Sequence, residues 1–127
     1  MRLRTSASVH LTFIFNLMSI MLAHEASLID QTLDIQERNV VRDRLRRRRI
    51  ARSTVMMELQ TQWRCPVHAL WGALDALYLE NLSSAPERLN QCDLRDLTLL
   101  PDTGHWANYE NAKAFNDWAI AQLASPA

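Results

Sequence analysis

The chain contains only two glycines among its 127 residues, and each one closes a short apolar run or the turn that follows it. Gly72 ends the run PVHALWG, and Gly104 ends the turn PDTG that comes after the run LTLL. Short apolar runs bounded by turn residues are typical of strands buried in a sheet. Because glycine adopts positive φ without steric strain, the sequence predicts a sharp turn of this kind at Gly104, directly before His105.

The carboxy-terminal half alternates between predicted strands and predicted helices. After the first strand (66–72) comes a loop and a helix that starts near Ser84, with Pro86 in its first turn. A second strand is predicted at 97–100 and a final helix at 108–123. This order predicts an α/β fold with a parallel sheet covered by helices. One face of the final helix is expected to hold Tyr109, Ala112, Phe115, Ala119 and Leu123.

The amino-terminal half is predicted to be helical, since no glycine or proline precedes Pro66. A break near 24–27 would separate two helices, the second of which runs to about residue 50. Ser53 or Thr54 is a candidate N-cap for a short third helix that reaches about Trp63. We therefore divide the chain into a helical segment, 1–64, and an α/β segment, 65–127.

The apolar run 11–23 follows two early arginines and has two interpretations. It resembles the hydrophobic region of a signal peptide, and it also fits a buried amphipathic helix. Asn16 and Ser19 interrupt the run and no clear A-x-A site follows, which favours the helix. The run is also too short to span a bilayer, so no membrane partner is predicted.

Arginine is concentrated in the first half of the chain, although the net charge is zero. Residues 1–52 hold ten arginines against five acidic residues, and the run RLRRRRIAR occupies 44–52. This run is interpreted as the solvated face of a helix. The alternative is a small arginine-rich helical protein that binds nucleic acid or a protein partner. No aromatic residue interleaves the run to stack on bases, which disfavours nucleic acid.

Two cysteines, Cys65 and Cys92, are too few for a disulfide framework and are interpreted as reduced, buried thiols of a cytoplasmic protein. Together with His68 and His105 they form a loose set of possible zinc ligands. However, residues 65 and 68 lie three positions apart on a predicted strand and so point to opposite faces. No metal site is therefore predicted, and His68 is assigned a structural role.

An acidic residue and a histidine follow the two predicted strands. Asp75 comes three residues after Gly72, and His105 comes directly after Gly104. Because parallel strands place their carboxyl ends at one edge of the sheet, Asp75 and His105 are expected to lie close together. A carboxylate that orients an imidazole is one half of a nucleophilic triad, in which histidine is the general base.

Nearby residues receive other assignments. Asp102 is a rival for the acid, but the turn PDTG accounts for it through turn chemistry. Glu110 is expected to support the first turn of the final helix, where negative charge is favourable. The tryptophans are expected to pack rather than react, and Trp106 is also a candidate for lining a pocket mouth. The three tryptophans concerned are Trp71, Trp106 and Trp118.

The segments CPVHALWGALDALY and LTLLPDTGHWANYENAKAFNDWAIAQL resemble the carboxy-terminal part of α/β-hydrolase-fold enzymes. Those families carry a W-G-x-x-D step after one strand and a G-H-W step after the next, in the order acid then base. The preceding helical segment resembles the cap inserted before their last two strands. The resemblance implies a partial α/β-hydrolase fold, with His105 as base and Asp75 as triad acid; Trp106, the candidate for a pocket mouth, is then a candidate substrate-binding residue. It also implies hydrolysis of an ester or related bond in a small molecule, without a cofactor.

The nucleophile of that family is missing from the pattern. A nucleophile elbow needs the sequence G-x-S-x-G, and neither Gly72 nor Gly104 flanks a serine in this way. The HGG-type loop that supplies an oxyanion hole is absent as well. The expectation is a truncated chain with acid and base, inactive until an amino-terminal half supplies the nucleophile.

Overall fold

The two apolar runs form a two-stranded parallel sheet in the computed structural model, which describes residues 7–43 and 53–124. Strand β1 is Val67–Gly72 and strand β2 is Leu94–Leu100. The strands pair in register up to Gly72 opposite Leu100, with one irregularity between Val67 and His68. The predicted α/β class is confirmed at this coarse level. Strand β2 begins three residues before its apolar run, because the main-chain ladder also includes polar residues.

Helices and single helical turns surround this sheet. The α-helices are α1 (Ala7–Asn16), α2 (Asp30–Arg42), α3 (Val55–Glu58), α4 (Ala85–Arg88), α5 (Ala107–Glu110) and α6 (Ala112–Ala124). A π-helical turn (Leu17–Met21) continues α1, and 3₁₀ turns occupy Glu25–Ser27, Gln60–Gln62 and Leu82–Ser84. The predicted break near 24–27 is therefore present. Helix α2 is described to Arg42, and the arginine run at 44–52 lies outside the described residues.

The final helix differs from its prediction. Asn111, with φ −129° and ψ 55°, divides it into α5 and α6. The break falls between Tyr109 and Ala112, so the predicted face is divided between α5 and α6. The prediction of one continuous helix over 108–123 is therefore wrong. Ala112 is exposed and 87% of Leu123 is exposed, while Tyr109 and Phe115 are half-buried.

The connection between the strands is less helical than predicted. Its only α-helix is the four-residue α4, which has Pro86 in its first turn as expected. The predicted third helix likewise changes to a 3₁₀ turn after Glu58. Gln60, which is 2% exposed, joins these two regions. Its amide nitrogen donates to the Arg88 carbonyl at 2.7 Å, and its oxygen accepts the Gln91 N–H at 3.3 Å.

The apolar core lies between the amino-terminal helical segment and the carboxyl ends of the strands. Its buried apolar residues are Phe13, Leu17, Leu22, Leu82, Ala85, Leu100 and Ala107. Thr32, with no exposed surface, ties the start of α2 to α5. Its hydroxyl donates to the Ser27 carbonyl at 2.6 Å, accepts the Ile29 N–H at 3.2 Å and lies 2.8 Å from the Tyr109 hydroxyl.

The run 11–23 falls on α1, the π-helical turn and the start of the following loop. Phe13 and Leu17 of this run are buried, whereas Leu11 and Phe15 are about two-thirds exposed, at 65% and 68%. Among the described residues no helix has the length and apolarity needed to cross a membrane. The predicted division at residue 64 stays a prediction.

Candidate functional site

The carboxyl ends of the two strands are joined by main-chain hydrogen bonds that continue past the sheet. The Ala73 N–H donates to the Leu100 carbonyl at 2.8 Å, and the Leu74 N–H donates to the Thr103 carbonyl at 2.9 Å. A Cβ at Gly72 would lie 2.2 Å from the carbonyl oxygens of both Thr103 and Gly104. The loops after β1 and β2 therefore meet at a distance that only glycine permits.

Glycine is needed at position 104 because other parts of the chain approach its backbone closely, and not because its φ is positive. Neither glycine has a positive φ, and within the described chain the left-handed conformation belongs to Asp102, at φ 54°. A Cβ at Gly104 would lie 2.6 Å from both the Ala23 nitrogen and the Glu110 Oε2. The predicted conformational reason for Gly104 was therefore wrong. The physical reason is the close approach of two other parts of the chain to its backbone.

The structure brings Asp75 and His105 together at the meeting of these loops. Asp75 Oδ2 lies 2.9 Å from His105 Nδ1, and Asp75 Oδ1 accepts the Leu77 N–H at 3.0 Å. The Asp75 side chain is 2% exposed and that of His105 is 31% exposed. Since a carboxylate only accepts, Nδ1 is assigned as the donor. His105 Nε2 makes no hydrogen bond to any residue within 7–43 or 53–124, so it is free to accept a proton.

Tyr78, for which the sequence predicted no role, lies beside the His105 ring. The two rings are near parallel, at 22°, with centroids 6.2 Å apart, and Trp71 lies 6.4 Å from Tyr78 on the strand side. The Tyr78 N–H donates to the Asp75 carbonyl at 3.0 Å. A tight turn that starts at Asp75 thus determines the positions of both the acid, Asp75, and the aromatic neighbour of His105, Tyr78.

Asp102, the rival acid, lies against a different histidine. His24 Nε2 is 3.1 Å from the Asp102 carboxylate and 3.0 Å from its carbonyl oxygen. The backbone hydrogen bond to Asp102, followed by the charge of its carboxylate, raises the pKa of His24 above the usual 6.5. Asp102 therefore joins the loop after β2 to the amino-terminal segment, and Asp75 is the acid beside His105.

Glu110 has partners that the sequence analysis did not predict. Its carboxylate accepts the Ala23 N–H at 2.9 and 3.0 Å, the His24 N–H at 3.1 Å and the Gly104 N–H at 2.7 Å. Glu110 lies in the first turn of the four-residue α5, as predicted, and its carboxylate also accepts from backbone N–H groups outside that helix. No local sequence signal indicates these partners, because two of them lie more than 80 residues away.

His68 lies in strand β1, and Trp106 and Trp118 lie in the segments that follow β2. The Trp106 ring lies edge-on to Tyr109, with centroids 6.0 Å apart, and the Trp106 backbone N–H donates to the Met21 carbonyl at 2.9 Å. Trp118 donates its indole N–H to Asp96 Oδ2 at 2.7 Å. This bond, with one from Thr98, lowers the pKa of Asp96. His68 Nδ1 is buried and has no partner in the described part of the chain. A substrate role for Trp106 stays a prediction.

The possible metal ligands are dispersed. Cys65 is exposed, contrary to the expectation of a buried thiol, and the Cys92 thiol donates to the Leu89 carbonyl at 3.3 Å. Across residues 7–43 and 53–124, no cluster of three or more histidine, cysteine or acidic side chains could hold a metal ion.

Comparison of the chain with protein-family models and with curated proteins finds no match in either set.

Proposed function

We propose that Asp75 and His105 are the acid and the general base of a hydrolase triad of the α/β-hydrolase type, acting on an ester or a related bond. The observation that carries the proposal is the 2.9 Å contact between the buried Asp75 carboxylate and His105 Nδ1, with Nε2 left free. In such a triad the aspartate holds the imidazole in one tautomer and stabilises the imidazolium that forms. His105 then takes a proton through Nε2 from a nucleophile.

The nucleophile of this triad would come from another polypeptide segment. No serine in the described chain contacts His105, and no serine anywhere in the sequence stands in a G-x-S-x-G pattern. We therefore propose a serine and its oxyanion hole on an amino-terminal half, with the helical segment as the cap over a small-molecule substrate. Trp106 is proposed to border that substrate.

The proton between Asp75 and His105 gives the first test. An imidazole N–H that donates to a buried carboxylate exchanges slowly and is deshielded, so we expect a downfield His105 Hδ1 resonance in the purified chain. Asp75→Asn should abolish it, whereas His68→Ala, a change at another histidine on the sheet, should leave it in place. A spectrum without this resonance in the unsubstituted chain would contradict the dyad.

The hydrolase role is tested in the source cells. Protein captured under native conditions with an antibody to residues 108–124 is treated with a serine-reactive fluorophosphonate. We expect one labelled band, which is either this chain within a polypeptide larger than 14.7 kDa or a second polypeptide captured with it. Its labelling rate should fall roughly 10³-fold or more in His105→Ala. The matched His68→Ala control should keep the labelling.

Two outcomes would contradict the proposal. One is a 14.7 kDa chain with no His105-dependent labelled serine on it or beside it. The other is ester turnover by the purified chain that disappears in His105→Ala; it would agree with His105 as the base but contradict a nucleophile on another segment, since it would show a nucleophile within this chain.

A further inference from the structure

We infer that Glu110 is a positioning residue for His105, and that through it the amino-terminal segment at Ala23 and His24 sets the geometry of the dyad. The inference rests on the proposed function for the meaning of that geometry. It adds a residue and a route that the Asp75–His105 contact does not contain.

The Glu110 carboxylate lies where three backbone N–H groups converge. Gly104 donates from the loop after β2, and Ala23 and His24 donate from the segment after the π-helical turn. A carboxylate is acceptor-only and has two oxygens, so one side chain can satisfy all three donors. Hydrogen bonds to a charged acceptor are also stronger than neutral ones, roughly by a factor of two.

The contact with Gly104 reaches His105 through a single peptide bond. Gly104 N–H to Glu110 Oε2, at 2.7 Å, is the shortest of these contacts. On its other side the Gly104 carbonyl lies against Gly72, where a Cβ would come within 2.2 Å. Gly104, the residue before His105, is therefore held between the end of β1, through its carbonyl, and Glu110, through its N–H. A shift of Gly104 would move His105 Nδ1 relative to Asp75, whose own position is set by its turn.

Two further contacts join the same segments, so Glu110 is part of a continuous connection. The Trp106 N–H donates to the Met21 carbonyl at 2.9 Å, and His24 lies against Asp102. His105 thus lies between Gly104 and Trp106. Gly104 is joined to segment 21–24 through Glu110, and Trp106 is joined to it directly. Glu110 is the side chain that bonds to both segments at once, and within the described residues its carboxylate oxygens accept from backbone N–H groups.

The test compares Glu110→Ala with the matched change Glu25→Ala on the neighbouring 3₁₀ turn, using the His105 Hδ1 resonance of the purified chain. In Glu110→Ala we expect the resonance to be lost or broadened in molecules that remain folded, and in Glu25→Ala to be unchanged. A purely structural role would lower the urea midpoint while the folded molecules keep the resonance, and that result would overturn the inference.

Rescue by a free carboxylate makes the test specific. Glu110→Ala leaves three N–H donors around a space the size of a carboxylate, so added formate should restore the resonance. Sodium chloride at the same ionic strength should not. Failure of formate to restore it would also count against the inference. If the unsubstituted chain lacks the resonance, the proposed function fails; if it has the resonance and Glu110→Ala keeps it, only this inference fails.

Discussion

The two ends of the sheet are stabilised in different ways. At the carboxyl ends of the strands, buried Leu100 lies beside small or polar buried residues that are held by hydrogen bonds, as for Gly72, Asp75 and Thr103. Along both strands before their last residues, and along α6, the side chains are at most half-buried, and 65% of Ile120 is exposed. The difference teaches that the site lies at the end of the sheet where the apolar core and the backbone contacts between loops coincide.

The largest effect should come from the glycine contact. Gly72→Ala places a methyl group 2.2 Å from two backbone oxygens, which cannot move without separating the strand ends. We expect a loss of about 3 kcal/mol in the free energy of unfolding, measured by urea denaturation. Gly104→Ala should cost less, since one of its two closest groups is the end of a side chain. Equal urea midpoints for Gly72→Ala and the unsubstituted chain would show that the ends are not in rigid contact.

The next effect concerns the contact between helices at the same end. Thr32→Val keeps the shape of the side chain but removes a buried hydroxyl that bonds to Ser27, Ile29 and Tyr109. We expect a loss of about 2 kcal/mol on urea denaturation, because polar partners are left unpaired. Tyr109→Phe removes one of these bonds and should lose about 1 kcal/mol. If Tyr109→Phe proved as costly as Thr32→Val, the link would depend on Tyr109 alone.

Toward the other end of the sheet, we expect Asp96 to contribute a smaller stabilisation that is lost at acidic pH. Trp118 and Thr98 donate to its carboxylate and lower its pKa below the ordinary 3.8. The stabilisation is therefore present above pH 3.8 and is lost as pH falls through the lowered pKa. Thr98→Val should lower the free energy of unfolding at pH 7, measured by urea denaturation, by about 1 kcal/mol and flatten its acid dependence. An unchanged acid dependence would exclude this role for Thr98.

The smallest effect should come from His24 and Asp102 on the exposed side of the site. The pKa of His24 is raised above 6.5, so its contribution is complete below pH 6.5 and is lost as pH rises through the raised value. His24→Ala should make the urea midpoint less dependent on pH between about pH 6 and 8. An Asp102→Asn variant should flatten the pH dependence less, because it removes the carboxylate charge but keeps the carbonyl that His24 also contacts. A full pH dependence in His24→Ala would argue against the pair.

Local patterns in the sequence were enough to predict the two parallel strands, the break near 24–27 and Pro86 in the first turn of α4. Each depends on residues within a few positions of one another. They also placed Asp75 and His105 one after each strand, and the pairing of parallel strands made their proximity an expectation. The catalytic roles of both residues stay predictions, as does the hydrolase-type fold.

Only the tertiary structure decided why Gly104 is glycine and what Glu110 contacts. Both answers depend on Ala23, which approaches Gly104 and Glu110 from a distant part of the sequence. A local pattern contains no information on such approaches, because they are set by how whole elements pack. For the same reason the sequence determined which residues follow the strands, and the packing of the loops decided that Asp75, rather than Asp102, lies beside His105.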